Sequence, residues 1–228
     1  EVLYFDWYQA DPATQPKAMY GYSPLKKMYS FNPVPTDALT ARRNEELISS
    51  KPVSSDTVAY ILPENRCNII GVQGSTWTEY IPNAAHLEYM MFPRLLAIAE
   101  MAWTPQNIRE WGNFKKRVNA HLPKLKARKI NTFMLSDVIE LTSQVCSDKT
   151  VKVTLDTEKT SVEIRYTLDG LEPCENSTLY TRPFILTKET TVKAALFKDG
   201  KNVGIPLYKV VGISEDIQNY YEYINEAI

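Results

Sequence analysis

Near Asn131 the spacing of apolar residues changes character, and this limits the chain to two differently built parts. Before it, two short apolar runs, residues 2–8 and 69–76, stand among stretches with helical spacing. After it, residues 150–155, 161–167, 179–186 and 191–197 alternate in steps of two, with Asp169-Gly170 and Asp199-Gly200 as turn signals. The first part has the strand–loop–helix order of a parallel α/β fold, its two strands buried. The second reads as an antiparallel sandwich of the immunoglobulin or fibronectin kind. The boundaries expected are 1–134 and 135–212, with 213–228 as a tail or linker in which Ser214 leads a frayed helix and Tyr220, Tyr221 and Tyr223 dock on a neighbour.

Within the first part a short helix or turn is expected over 25–29. Thr36 or Asp37 caps another helix through Ser49, before a surface excursion at Lys51-Pro52 and Ser54-Ser55. A helix over 85–102 should kink at Pro93 and bury Met91, Leu95, Ile98, Ala99 and Ala102. A further helix, capped by Thr104 with Pro105 in its first turn, puts Ile108, Trp111, Phe114, Val118 and Leu122 on one stripe and bends at Pro123. Trp103, Trp111 and Phe114 are read as core.

Composition removes several function classes. With 26 Lys+Arg against 27 Asp+Glu, the net charge of −1 offers no basic surface for nucleic acid or anionic lipid. No apolar run reaches the roughly 18 residues of a membrane span. Glu1 and Asp6 replace the basic start of a signal peptide. A start in mid-strand without methionine is read as a piece of a longer chain. Cys67, Cys146 and Cys174 lack metal-site spacing. They read as buried free thiols, with a Cys146–Cys174 disulfide as the alternative. His86 and His121 are too few and too far apart in sequence for a histidine metal cluster or triad, so no metal or cofactor is expected.

Both apolar runs of the first part end in an aromatic and a carboxylate two residues apart, Tyr4/Asp6 and Trp77/Glu79. In an extended strand, residues two apart share a face, so Leu3, Phe5 and Trp7 should point away from Tyr4 and Asp6. An aromatic ring stacks on the C–H face of a sugar, and a carboxylate accepts its hydroxyl protons. One such pair reads equally as sheet filling with a polar tip; two matching pairs point to a site.

Taken in order, Tyr4-Phe5-Asp6-Trp7-Tyr8-Gln9, Met28-Tyr29-Ser30-Phe31-Asn32-Pro33, 71–79 (GVQGSTWTE) and Pro93-Arg94-x-x-Ala97-x-Ala99-Glu100-x-x-Trp103 resemble the last quarter of a family 20 glycoside hydrolase, the β-N-acetylhexosaminidases. The segments 164–173 and 179–184 resemble the β-sandwich often fused to those enzymes. The resemblance covers about residues 2–211. It implies a partial (β/α)₈ barrel, with the two runs as its seventh and eighth strands and the site at their C-terminal ends. In that family the substrate's own acetamide is the nucleophile. The resemblance gives Tyr4 the role of donating to the acetamido oxygen, Trp77 that of an apolar wall for the sugar, and Asp6 and Glu79 that of accepting from the outer hydroxyls. It also implies terminal N-acetylhexosamine glycans as substrate and a secreted or periplasmic setting.

The family's adjacent Asp-Glu pair occurs nowhere in the 228 residues. The acid/base is therefore expected upstream, along with the arginine that grips the sugar, and the chain alone should not hydrolyse. Its partner would then be the missing N-terminal part of the barrel, and self-association through an exposed barrel edge is a further expectation. Arg94 and Glu100 read as a structural ion pair or cap, Trp7 as core, and Tyr166 and Tyr180 as strand-pairing aromatics. Two other classes stay open: a non-catalytic carbohydrate-binding or spacer module, and a ligand-free structural adaptor.

Overall fold

The computed structural model describes residues 2–49, 53, 58–146 and 149–212. The chain divides into two compact units, residues 1–135 and 136–228. The tail expected over 213–228, and the excursion around residues 50–57 except Val53, lie outside the described residues.

In the first unit the expected strand over 2–8 is mostly irregular. Only β1 (Trp7–Tyr8) has strand character, paired in parallel with β2 (Met19–Tyr22) through a bulged register. The run at 69–76 carries no continuous strand: it touches the first run at a single parallel bridge, Tyr4 to Ser75. Nor is it buried, since Ile70 is fully exposed and Gly71 and Gln73 are exposed as well. Alternation there was a poor guide because one bridge does not hold the pleat that alternation assumes.

Among the described residues the first unit has five α-helices. The helix α1 (Leu25–Ser30) buries Leu25, Met28 and Tyr29, and α2 (Ala38–Ser49) is capped by Asp37, whose carboxylate accepts from the Thr40 N–H at 2.8 Å and the Thr40 hydroxyl at 2.7 Å. The helix expected over 85–102 is two helices, α3 (Ala84–Met91), capped by Asn83, and α4 (Arg94–Trp103). Pro93 lacks the N–H that a continuous helix needs, so the chain stops and restarts there instead of kinking. The buried face of α4 is Arg94, Ala97, Ile98 and Met101; Ala99, Ala102 and Trp103, read as core from the sequence, are exposed. The helix expected after Thr104 begins later: a 3₁₀ turn covers Gln106–Ile108, and α5 (Trp111–Ala127) is capped by Glu110, whose carboxylate accepts from Gly112 N–H at 2.7 Å and Asn113 N–H at 2.5 Å. The helix continues through Pro123, and Ile108 lies outside it. Phe5, Met28, Tyr29, Ile98, Phe114 and Val118 form one core, with Phe114 stacked on Tyr29 at 4.7 Å and Trp111 and Leu122 half-buried at its border.

The second unit is a sandwich of two antiparallel sheets. One sheet has the order β3 (Glu140–Val145), β4 (Val151–Asp156), β7 (Phe184–Leu186). The other runs β10 (Leu207–Val211), β8 (Thr190–Lys198), β5 (Glu163–Thr167), β6 (Thr178–Leu179), with β9 (Lys201–Asn202) turning back on β8. Both inner faces fill one core: Val151, Val153 and Leu155 from one sheet, Ile164, Val192, Ala194 and Leu196 from the other. The first and last strands, at 140–145 and 207–211, went unread in the sequence because their mostly exposed residues show no strong alternation. The Asp199-Gly200 signal holds: both residues have positive φ (50° and 75°), as a two-residue hairpin turn demands, between paired Lys198 and Lys201. Tyr166 lies flat on Phe184 at 4.6 Å, an aromatic pair bordering the core.

The cysteines are free in this structure. Cys67 and Cys174 are exposed and Cys146 is half-buried, so the burial expected of them fails along with the alternative disulfide. Free cysteine is among the residue types most often buried, but Cys67 lies on a 3₁₀ turn and Cys146 and Cys174 lie in loops.

Candidate functional site

The two runs meet where the sequence places the aromatic–carboxylate pairs. Phe5 N–H donates to Ser75 carbonyl at 2.8 Å and Ser75 N–H to Leu3 carbonyl at 2.9 Å, fixing the register around the Tyr4–Ser75 bridge. Two residues further on, Trp77 N–H donates to Asp6 Oδ1 at 3.4 Å. Asp6, 4% exposed, thus ties the end of one run to the end of the other. Its carboxylate has at least one oxygen engaged with backbone, so it positions the Trp77 segment as well as offering an acceptor.

The aromatic members differ from the parity expectation. Tyr4 and Trp7, three apart and assigned to opposite faces, stack at 5.5 Å with their planes 15° apart. The backbone turns between them, and regular alternation fails there. Trp7 is consequently no core residue: it is half-buried and lies across Gly21, where an added Cβ would fall 1.9 Å from the indole Cδ2. Gly21 is required by this close approach. Trp77 is 57% exposed, an indole face open to a ligand, and Glu79 is exposed in the turn closed by Ile81 N–H donating to Thr78 carbonyl. Three of the four expected residues, Tyr4, Asp6 and Trp77, are thereby linked through one bridge and one hydrogen bond, and Glu79 follows two residues beyond. Lys17 sits over the Tyr80 ring at 4.6 Å, the next residue in that turn.

What holds the first run in place was misread from the sequence. Arg94 does not pair with Glu100. It is fully buried, and its guanidinium donates to the Trp7 and Ser23 carbonyls at 3.0 Å each, to the Met90 carbonyl at 2.6 Å, and to the Phe5 carbonyl. A planar five-donor fork can hold several carbonyls at once, which an ammonium cannot. Glu100 pairs instead with Arg117 of α5, at 2.5 and 3.0 Å. Gln9, 1% exposed, adds a second tie through its amide to the Tyr89 carbonyl at 2.8 Å, while its Oε1 has no protein partner. Burial raises the Tyr89 hydroxyl pKa, opposed by the nearby Arg94 charge. A buried arginine in an apolar helix was the available signal for this role; the choice of carbonyls over a carboxylate had none in the sequence.

The aromatic–carboxylate pairs thus lie at the ends of two segments joined by one parallel bridge, ahead of a sandwich. Residues 1–106 match the family model described as glycosyl hydrolase family 20, catalytic domain, and residues 145–207 match the chitobiase/beta-hexosaminidase C-terminal domain. The two matched segments thus resemble, in the same order, the catalytic and C-terminal domains of these enzymes. A beta-hexosaminidase of Porphyromonas gingivalis is 32% identical over 189 residues, 79% of this chain and 20% of that protein. A beta-N-acetylhexosaminidase of Cellulomonas fimi is 43% identical over 56 residues, 25% of this chain and 11% of that protein. Among solved structures, the exo beta-N-acetylglucosaminidase from Vibrio harveyi in complex with N-acetylglucosamine shares 28% identity over 58% of this chain and 18% of its own, with a TM-score of 0.43. The chain spans about a fifth of the length of the Porphyromonas relative.

Proposed function

We propose that this chain supplies one wall of the sugar-binding pocket of an exo-acting β-N-acetylhexosaminidase, which removes terminal N-acetylglucosamine or N-acetylgalactosamine by substrate-assisted, retaining hydrolysis. Tyr4 donates its hydroxyl to the acetamido oxygen and holds it against the anomeric carbon; Trp77 forms the apolar wall; Asp6 and Glu79 accept from outer hydroxyls. The observation that supports the reading is the Asp6–Trp77 hydrogen bond beside the Tyr4–Ser75 bridge, which links Tyr4, Asp6 and Trp77. With no adjacent Asp-Glu pair in the sequence, this chain alone lacks the family's acid/base and does not hydrolyse. Its partners in this proposal are N-acetylhexosamine-terminated glycans and the rest of a barrel, and copies can associate through bare apolar surface such as that at Ile70. Secretion or export to a periplasm follows from the same family reading. No described helix is long and apolar enough to cross a membrane.

Titrating N-acetylglucosamine while reading tryptophan fluorescence tests this, because all four tryptophans lie in residues 1–134. A saturable change abolished by Trp77→Ala is the expected result. Binding that survives deletion of residues 1–134 would transfer the ligand to the sandwich and make the chain a carbohydrate-binding module. Turnover of an aryl N-acetylglucosaminide by the chain alone would remove the claim that the acid/base is absent.

A further inference from the structure

Away from Tyr4 and Trp77, the first unit holds a cavity of about 460 Å³ between the segment leading into α2 and the C-terminal end of α4 with the turn beyond it. Arg66, Arg109, Trp103, Asn32, Gln106 and Asp37 are among its lining residues. Arg66 lies before the run whose far end carries Trp77, and Ile69 opens it, so the cavity sits at the other end of that run from the sugar wall.

Arg109 is the informative residue. Its guanidinium is half-buried, stacked 5.8 Å from the Tyr29 ring. Its two terminal nitrogens make only long 3.4 Å bonds to one acceptor, the Phe31 carbonyl, and its buried Nε has no partner. No carboxylate of the described residues lies within ion-pair distance of Arg109 or of the exposed Arg66. Burial lowers the Arg109 pKa, opposed by Tyr29 and by the more distant Glu100 carboxylate, which is bonded to Arg117, yet a guanidinium stays charged at physiological pH. A desolvated cation with unmade hydrogen bonds is costly unless an anion completes it. The other cavity cation and the Asn32 and Gln106 amides supply further donors. Asp37 also lines the cavity, but its two oxygens are engaged by the Thr40 N–H and hydroxyl. Beside these groups Trp103 is 87% exposed, a flat indole at the mouth with no core to cover it.

We propose that this cavity binds a small oxyanion-bearing ligand, its carboxylate, sulfate or phosphate clamped by Arg109 and Arg66, with Trp103 as a stacking wall for an attached ring. Two planar forks suit the planar or tetrahedral oxygens of such groups. The inference does not depend on the sugar-wall reading.

Calorimetric titration of the chain with sodium sulfate and with sodium glucuronate, at constant ionic strength set by chloride, tests it. Saturable binding is expected. Arg109→Gln and Arg66→Gln should each weaken it about tenfold or more, the loss of a charge-assisted hydrogen bond. Trp103→Ala should weaken glucuronate and leave sulfate unchanged; preference for glucuronate identifies a carboxylated ring as the ligand class, and preference for sulfate an inorganic oxyanion or its ester. Absence of saturable binding, or equal binding by wild type and Arg66→Gln, overturns the proposal. The exposed Arg66 keeps the test decisive if Arg109→Gln does not fold, and N-acetylglucosamine binding is expected unchanged in Arg66→Gln.

Discussion

Replacing Arg94 removes the one side chain that holds the Phe5, Trp7, Ser23 and Met90 carbonyls together. Arg94→Met keeps an unbranched apolar stem and removes the guanidinium. The carbonyls of Phe5, Trp7, Ser23 and Met90 then lose their bonds to that group in a region where Arg94 itself has no exposed surface. A buried acceptor left without a donor costs about 1–3 kcal/mol. The four losses do not add in full, because the freed segment relaxes and the cost of burying the charge is removed with it, so a total of about 3 kcal/mol is expected. Small domains are stable by about 5–15 kcal/mol, so the variant should be marginal. With urea slopes of about 1–3 kcal/mol/M, the midpoint should fall by about 1 M or more. Tryptophan fluorescence is the assay, since Trp7, Trp77, Trp103 and Trp111 all belong to this unit and the sandwich is silent. Arg94→Lys should recover only part of the loss, because an ammonium cannot span the same carbonyls. A midpoint shift below a few tenths of a molar for Arg94→Met would refute the reasoning.

Other perturbations probe separate parts of the account. Leu196→Ala, at a position with no exposed surface in the sandwich core, should cost about 2–5 kcal/mol, lowering the β-sheet circular dichroism transition while the tryptophan transition stays put. Gly21→Ala should force the Trp7 indole off its seat and disturb the Tyr4 ring stacked on it, so N-acetylglucosamine affinity should fall with little change in overall helicity. Backbone N–H groups of Gly112 and Asn113 hold the Glu110 carboxyl below its ordinary pKa. A group depressed in the folded state contributes stability at pH above its unfolded value and loses it as pH falls through the folded one. Glu110→Gln should therefore lower the melting temperature at neutral pH and flatten its decline on acidification, and a wild-type-like acid profile in that variant would count against the cap.

How much of this was legible beforehand differs by element. The change of period near Asn131 located two architectures because sandwich strands buried on one face must alternate, and Val151, Val153 and Leu155 do so. The caps at Asp37 and Asn83 are local, and the first was read as Thr36 or Asp37, of which the structure uses Asp37. The run 69–76 was harder: Ile70 and Val72 look like a buried strand in isolation, but whether an apolar residue is buried depends on a neighbour, and here Ile70 has none. The same holds for Trp103, whose helical spacing said core while α4 turned its buried face by about one residue to seat Arg94. At the site, the Asp6–Trp77 hydrogen bond joins one member of each aromatic–carboxylate pair that the sequence singled out. The side-chain parity did not survive, because the turn between Tyr4 and Trp7 ends the regular strand on which parity rests.

A crystal of the chain soaked with N-acetylglucosamine puts the convergence of Tyr4, Asp6, Trp77 and Glu79 to the most direct test. The expected density shows the pyranose ring against the Trp77 indole, with its acetamido oxygen accepting from the Tyr4 hydroxyl. Sugar bound only on the sandwich, or a Tyr4 hydroxyl turned away from a ring seated on Trp77, would contradict the account.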